Sequence, residues 1–317
     1  MSDTLGLAGR RVAVTGAAGF IGSAVVRVAL ELGASVDCIV RGFEPEMSLP
    51  GAERHVADWG DELGLAALFG RRRPDVVVHC AGNSGRGGGS AASMYDANVG
   101  TVWRLLDAVR AAGIDPGVVV LSSAAVYGPT PTTPTSEDCA LAPATHYAAS
   151  KVLAEEVAAR YVSLESLRVC VARPFNVIGP GEPGGSVASR IIEQFANSPA
   201  GEPVTVRLRE AESVRDFADV EDVARALLVL GSCGDSGLRY NICTGHGVSI
   251  AELVRAVADA FCLQYQVVIE EPGSHPTVSV GCPHLLGALG WRPRLGLAES
   301  LSRIVAFEGS AGQVARG

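Results

Sequence analysis

The segment Thr15-Gly16-Ala17-Ala18-Gly19-Phe20-Ile21-Gly22 restricts what this chain can fold into more than any other stretch. It follows the apolar run Arg11–Thr15 directly and opens a segment of helical periodicity, Phe20–Leu32. Between a strand and a helix the glycines take separate tasks. Gly16 permits a tight turn, Gly19 lets a pyrophosphate reach the N–H groups at the helix N-terminus, and Gly22 lets the helix lie close on the strand. A dinucleotide cradle is predicted here, with Ala18, Phe20 and Ile21 beside the glycines.

Similar apolar runs recur at Ser35–Val40, Asp75–Cys80, Val118–Ser122 and Arg168–Ala172, separated by helical patterns at Glu62–Arg72, Tyr95–Ala112 and Tyr147–Leu164. Continuous apolar strands alternating with helices predict a doubly wound, parallel α/β sheet of Rossmann type, since each strand must be buried on both faces. Residues 1–175 are read as this dinucleotide-binding domain. From residue 176 to 317 the chain turns Gly- and Pro-rich, with Gly179-Pro180-Gly181 and Gly184-Gly185 as turns, and a smaller C-terminal substrate-binding region is expected. A strand-like run at Arg239–Cys243 and helices at Val220–Leu230 and Ile250–Phe261 imply that some of it returns to the first domain. The Gly- and Ser-rich stretch Gly82–Ser90 falls at the carboxyl edge of the sheet, where ligands bind in such folds.

A net charge of −8 disfavours nucleic acid and anionic membrane as partners and leaves a small molecule. No run of apolar residues is long enough to span a bilayer, and no secretory leader is evident. The cysteines (38, 80, 139, 170, 233, 243, 262 and 282) form no Cys-x-x-Cys pair and read as reduced core residues of a cytoplasmic protein. No metal site is expected, because the histidines are scattered; His79, in an apolar strand, reads as a satisfied core imidazole. A hydrolase elbow is excluded by the spacing of Gly82-Asn83-Ser84-Gly85. Arg71, Arg72 and Arg73 read as cations complementing a helix C-terminus.

Arg41 follows the second strand where an NAD-preferring domain carries an acid for the ribose 2′-hydroxyl. A guanidinium there suits a 2′-phosphate, so NADP is favoured over NAD, which stays as the alternative. Asp58, with Trp59 beside it, is placed to accept from the adenine amino group or else to sit near a helix N-cap.

Tyr147 and Lys151 lie one turn apart at the start of a helix, so an ammonium stands beside a phenol and lowers the cost of its ionisation. Upstream, Ser122-Ser123-Ala124-Ala125-Val126-Tyr127-Gly128 ends a strand, which is where side chains reach a ligand in a parallel sheet. With these motifs the chain resembles, over nearly its whole length, an extended short-chain dehydrogenase/reductase of the NAD-dependent epimerase/dehydratase family. The resemblance implies that Ser123, rather than Ser122, polarises the reacting group, and that Tyr147 and Lys151 are the acid/base tyrosine and its lysine. It also implies cofactor contacts from Ala81, Gly82, Asn98, Tyr147, Lys151 and Pro174, and substrate contacts from Asn83, Ser123, Asn176 in Pro174-Phe175-Asn176, and Arg215 in Val214-Arg215-Asp216-Phe217. Arg215 followed by Asp216 is equally the pattern of a local ion pair. Relatives of this kind pair through the helices corresponding to Tyr95–Ala112 and Tyr147–Leu164, so a homodimer is implied.

Within the family, Phe175–Gly181 and Tyr240–Gly245 are most similar to GDP-4-keto-6-deoxymannose reductases, whereas Ser123–Tyr127 is more similar to sugar 4-epimerases. Dehydratases carry an acid pair where this chain has Ala124 and Ala125, which ranks elimination third. Arg41 tips the reading toward NADPH-dependent reduction of a nucleotide-linked 4-keto sugar, with a 4-epimerase as the alternative and a non-catalytic NADP sensor as the non-enzyme one. Near Glu271–His275 a further basic phosphate-binding residue is usual in such relatives, and only His275 is present.

Overall fold

Valine dominates the central strands, and their alternate side chains go to opposite cores. The computed structural model describes residues 6–42, 50–85, 89–129, 134–199, 202–270 and 275–314. Its first half runs β1 (Arg11–Thr15), α1 (Phe20–Glu31), β2 (Ser35–Val40), β3 (Ala52–Val56), α2 (Glu62–Arg72) and β4 (Val76–His79). There follow α3 (Ala91–Tyr95), a π-helical turn over Asp96–Gly100, α4 (Thr101–Ala111), β5 (Gly117–Leu121), α5 (His146–Glu165) and β6 (Val169–Pro174). The second half contains β7 (Asn176–Ile178), α6 (Val187–Ala196), β8 (Val204–Leu208), β9 (Val214–Asp219), α7 (Val220–Cys233) and β10 (Arg239–Ile242). It ends with β11 (Gly247–Ser249), α8 (Ile250–Phe261), β12 (Tyr265–Ile269), β13 (Val278–Ser279), α9 (His284–Ala288) and α10 (Leu297–Val314).

Seven parallel strands in the order β3-β2-β1-β4-β5-β6-β10 form the large sheet. Val12, Val14, Val76 and Val78 face α1 and α7 on one side. Ala13, Val77, Val118 and Val120 face α2, α4 and α5 on the other. The doubly wound reading therefore holds. The chain runs outward in opposite directions from β1 and β4, which opens a crevice between their carboxyl ends. After β6, the pairs β9 with β7, β11 and β13, and β8 with β12, build smaller sheets over a core that includes Phe195, Val206, Leu253 and Leu301. Among the described residues no helix is long and apolar enough to cross a membrane.

Three details depart from the sequence reading. β3 is an edge strand whose residues Ala52-Glu53-Arg54-His55-Val56 lack the apolar run of a central strand. Cys233 and Cys262 are exposed, one ending α7 and the other capping α8 in a left-handed conformation, so they are not core residues. Arg72 does more than complement a helix terminus. Its guanidinium lies 2.7 Å from buried Asp37 and 2.5 Å from Glu53, which supplies the positive charge where Asp37, Glu53 and His55 converge.

His79 is buried between Thr15 Oγ1, 2.7 Å from Nδ1, and Thr101 Oγ1, 3.2 Å from Nε2. Because the Thr101 hydroxyl donates to the Ala97 carbonyl at 2.6 Å, Nε2 must carry the proton and Nδ1 must accept. Burial, with Lys151 nearby, pushes the imidazole from 6.5 down to about 3. Below pH 6.5 the unfolded chain takes up a proton that the folded chain refuses, so stability falls with pH across the window from 6.5 toward 3. Going from pH 7 to 5 should cost the wild type about 2 kcal/mol more than a neutral His79→Gln variant. Denaturant unfolding at both pH values checks this, and equal losses would show that His79 is not held neutral.

Candidate active site

The crevice floor starts at the end of β1. Gly16 has φ +64°, and a Cβ there would come within 2.6 Å of the Ala81 amide nitrogen. At Gly22 a Cβ would overlap the Gly16 carbonyl oxygen, so α1 lies against the turn as close as a helix can. Gly19, the N-cap, supplies no side-chain cap, and the first turn carries no acid. The leading N–H groups of α1 are thus left for an external acceptor. Gly19, Phe20, Ile21 and Gly22 all line a cavity of about 700 Å³. An uncapped helix N-terminus behind a glycine turn fits the pyrophosphate of a dinucleotide.

The far wall comes from β5 and α5. Ser123 follows β5 and caps the short turn over Ala124–Tyr127, its Oγ accepting from the Ala125 N–H at 3.2 Å. Ser122 is differently engaged: its hydroxyl is buried and donates to Glu155 at 2.5 Å. That leaves Ser123 as the serine hydroxyl available to a ligand. Thr145 caps α5 by accepting from the Ala148 N–H, which places Tyr147 in the first turn on the cavity wall. Lys151, one turn on, donates to the Leu121 carbonyl at 2.8 Å, with its ammonium 6.0 Å from the Tyr147 ring centre. Burial brings this lysine down to about 8, against the opposing pull of Cys80 and Glu155. It is still mostly charged at neutral pH.

Asn98 stands behind this wall. The π-helical turn directs its buried side chain at the backbone N–H and carbonyl of Asn83 and at Ser150 Oγ, fixing the loop that carries Gly82 and Asn83. A Cβ at Gly82 would come within 2.7 Å of Asn98 Oδ1 and would have to displace that amide from its bond to the Asn83 N–H. Ala81 is held by its N–H, which donates to Thr15 Oγ1 at 3.3 Å.

Asn83, Pro174, Asn176 and Arg215 line the same cavity. Asn176 donates to the Asp216 carbonyl at 3.1 Å. Arg215 does not pair with Asp216. Its guanidinium donates to the carbonyls of Val214 and Thr277 and to Thr277 Oγ1, all neutral groups, at 2.7–2.9 Å. Asp216 instead accepts from the Thr244 hydroxyl and from the amides of Thr244 and Gly245. Burial pushes the Arg215 pKa below the usual arginine value, against the opposing pull of the Glu210 carboxylate acting at longer range. A partly desolvated guanidinium whose hydrogen bonds go to neutral groups favours an anion.

Lys151 and Arg215 are the charged residues among the described lining, which contains no carboxylate. In a chain of net charge −8, the cavity is locally positive. Gly16, Gly19, Phe20, Ile21, Gly22, Gly82, Asn83, Ser123, Tyr147, Lys151, Pro174, Asn176 and Arg215 thus converge on one cavity. Ala18, Arg41, Asp58 and Trp59 stand outside its wall. Arg41 is exposed just beyond β2, two residues after Ile39, whose carbonyl accepts from the Gly16 N–H at 3.1 Å. Asp58 accepts from the Gly60 N–H at 2.8 Å, while Asp61 is the cap of α2, and Trp59 meets His79 edge-on. Sequence reasoning missed the lining residues Thr145, Ser186, Phe217 and Ser279. Thr145 and Ser186 had a local signal, as the caps that begin α5 and α6.

The model of the NAD dependent epimerase/dehydratase family matches residues 12–243. The chain belongs to this family. It is therefore an enzyme that works with a nicotinamide cofactor. It is 31% identical to UDP-glucose 4-epimerase of Mycolicibacterium smegmatis over 94% of this chain and 98% of the relative. It is 29% identical to GDP-6-deoxy-D-mannose reductase of Pseudomonas aeruginosa over 93% and 96%. Among solved structures, UDP-glucose 4-epimerase of Thermus thermophilus in complex with NAD superposes with a TM-score of 0.81 at 30% identity, covering 95% of this chain and 99% of that one.

Proposed function

We propose that this enzyme reduces a nucleotide-linked 4-keto-(6-deoxy) sugar, with NADPH as the reductant and Tyr147 as the proton donor. The observation that carries this reading is the cavity itself, which joins Ser123, Tyr147 and Lys151 to Arg215 without a carboxylate among its described walls. Arg215 and Asn176 suit a sugar nucleotide diphosphate. Ala124 and Ala125 line the same cavity and leave no acid or base for elimination, so dehydration is disfavoured. When bound in the cradle of Gly16, Gly19 and Gly22, the cofactor supplies a hydride to the carbonyl carbon. Ser123 Oγ accepts from the Ala125 N–H, which leaves its hydrogen free to donate to the carbonyl oxygen. Tyr147 gives its proton to that oxygen, and the Lys151 ammonium offsets the phenolate until solvent restores the proton.

The same residues serve a 4-epimerase, which the similarity to two such enzymes favours. The two readings differ in stoichiometry. Incubation with GDP-, dTDP- and UDP-linked 4-keto-6-deoxy sugars should consume one NADPH per sugar converted, read by reduced-nicotinamide absorbance. Interconversion of unmodified UDP-sugars without added cofactor would overturn reduction and establish epimerisation.

A homodimer through α4 and α5 is also proposed. Val102, Leu106 and Val109 are buried against the sheet and belong to the core. Trp103 at 50% exposure and Leu153 at 48% remain as an apolar surface on the helix pair. Light scattering at micromolar concentration should give twice the 32.7 kDa chain mass, and Trp103→Glu should return the monomer. A wild-type monomer would assign these residues to the surface alone.

A further inference from the structure

Beneath the cavity floor lies a buried ionic network that the proposed chemistry does not use. Glu155 follows Tyr147 and Lys151 on the same face of α5, one turn further into the protein. Its side chain is 1% exposed. One carboxylate oxygen accepts from Ser122 Oγ at 2.5 Å and from Arg173 Nε at 2.9 Å. The other accepts from Arg173 Nη2 at 2.5 Å and has Arg239 Nε 3.7 Å away. Arg173 in turn donates through Nη1 to the Tyr127 hydroxyl at 2.9 Å and the Glu137 carbonyl at 3.3 Å. Tyr127 donates to Asn241 Oδ1 at 2.7 Å.

Each end of this network adjoins a residue of the cavity. Ser122 precedes Ser123, Arg173 precedes Pro174, and Glu155 follows Lys151 by one turn. The carboxylate therefore ties together the carboxyl ends of β5 and β6 and the catalytic face of α5. Burying two charges costs several kcal/mol per ion in desolvation, and such pairs are often no more stabilising than apolar residues of the same size. Fold stability alone is a weak reason for this one. The geometry points to Glu155 and Arg173 as positioning residues, whose buried pair, acting through the Ser122 hydroxyl, holds Ser123 and Lys151 at the working distance from a substrate.

This inference rests on the reading of Ser123, Tyr147 and Lys151 as the catalytic group, and its test does not depend on knowing the substrate. Ser122→Ala removes the hydroxyl link while leaving the ion pair whole. Glu155→Asp keeps the charge and withdraws the carboxylate by one methylene. In both variants, hydrogen exchange of residues 121–128 should accelerate while the remaining sheet keeps its protection. With a turned-over substrate, kcat should fall roughly ten- to hundredfold and KM should stay within about twofold, since small misplacements cost turnover more than binding. Ser122→Ala with unchanged exchange at residues 121–128 would overturn the inference whether or not a substrate is in hand. So would faster exchange with unchanged kcat. If the wild type turns over unmodified UDP-sugars and none of the keto sugars, the reductase reading falls and the same kcat and KM comparison on those sugars decides the positioning role. Should Glu155→Asp fail to fold, Ser122→Ala decides alone.

Discussion

A Tyr147→Phe variant should fold, bind NADPH and turn over a keto sugar on the order of 10²–10⁴ times more slowly than the wild type. The substitution removes one oxygen at the cavity wall. The ring stays in the first turn of α5, where the Thr145 cap and not the phenol sets the helix start. Lys151 keeps its hydrogen bond to the Leu121 carbonyl, so the cofactor side of the site is preserved. What is lost is a proton donor whose conjugate base is offset by a neighbouring ammonium. The loss should appear in kcat and kcat/KM alike, because proton transfer is made only in the transition state. Fluorescence titration with NADPH controls for binding, and thermal unfolding controls for the fold. A Phe variant with wild-type turnover would remove the tyrosine from the mechanism.

The parts of this site written in local geometry were legible from the sequence. A glycine at positive φ pressed against Ala81, and another pressed against Gly16, leave a spacing that no strand-to-helix junction of ordinary residues shows. The buried strands were legible for a similar reason, since burial on both faces keeps most of each run apolar, with the few polar exceptions such as Asp37 and His79 paired inside. β3 was not, because an edge strand tolerates Glu53, Arg54 and His55 and so loses its apolar signature. The short strands β7, β11 and β13 were also hidden, as they exist through pairing with β9 rather than through their own residues. Choosing between Ser122 and Ser123 by chemistry alone was impossible. What distinguishes them in the structure is Glu155, far along the chain, which takes the Ser122 hydroxyl. Adjacency misleads at Arg215-Asp216, where the strand sends neighbouring side chains to opposite faces and each finds its partners elsewhere.

NADPH should bind more tightly than NADH, and Arg41→Ala should weaken NADPH roughly ten- to hundredfold while leaving NADH nearly unchanged. A lost hydrogen bond to a charged group typically costs about 1.5–3 kcal/mol, which converts to that range of affinity. Arg41 is exposed just past β2, whose Ile39 carbonyl accepts from the Gly16 N–H of the glycine turn, so it stands two residues from a contact with that turn without lining the cavity. An exposed guanidinium facing a phosphate is screened by salt, and the preference for NADPH should therefore narrow as ionic strength rises. Arg41→Asp should go further and reverse the preference, because a carboxylate there repels a 2′-phosphate and accepts from a free 2′-hydroxyl. Equal weakening of both cofactors would show that Arg41 does not read the 2′ position. A wild type that holds NADH more tightly from the outset would also remove the main support for net reduction. An enzyme that keeps one cofactor bound and returns the hydride each turnover has no need of NADPH, and epimerisation would then be the better reading of the same cavity.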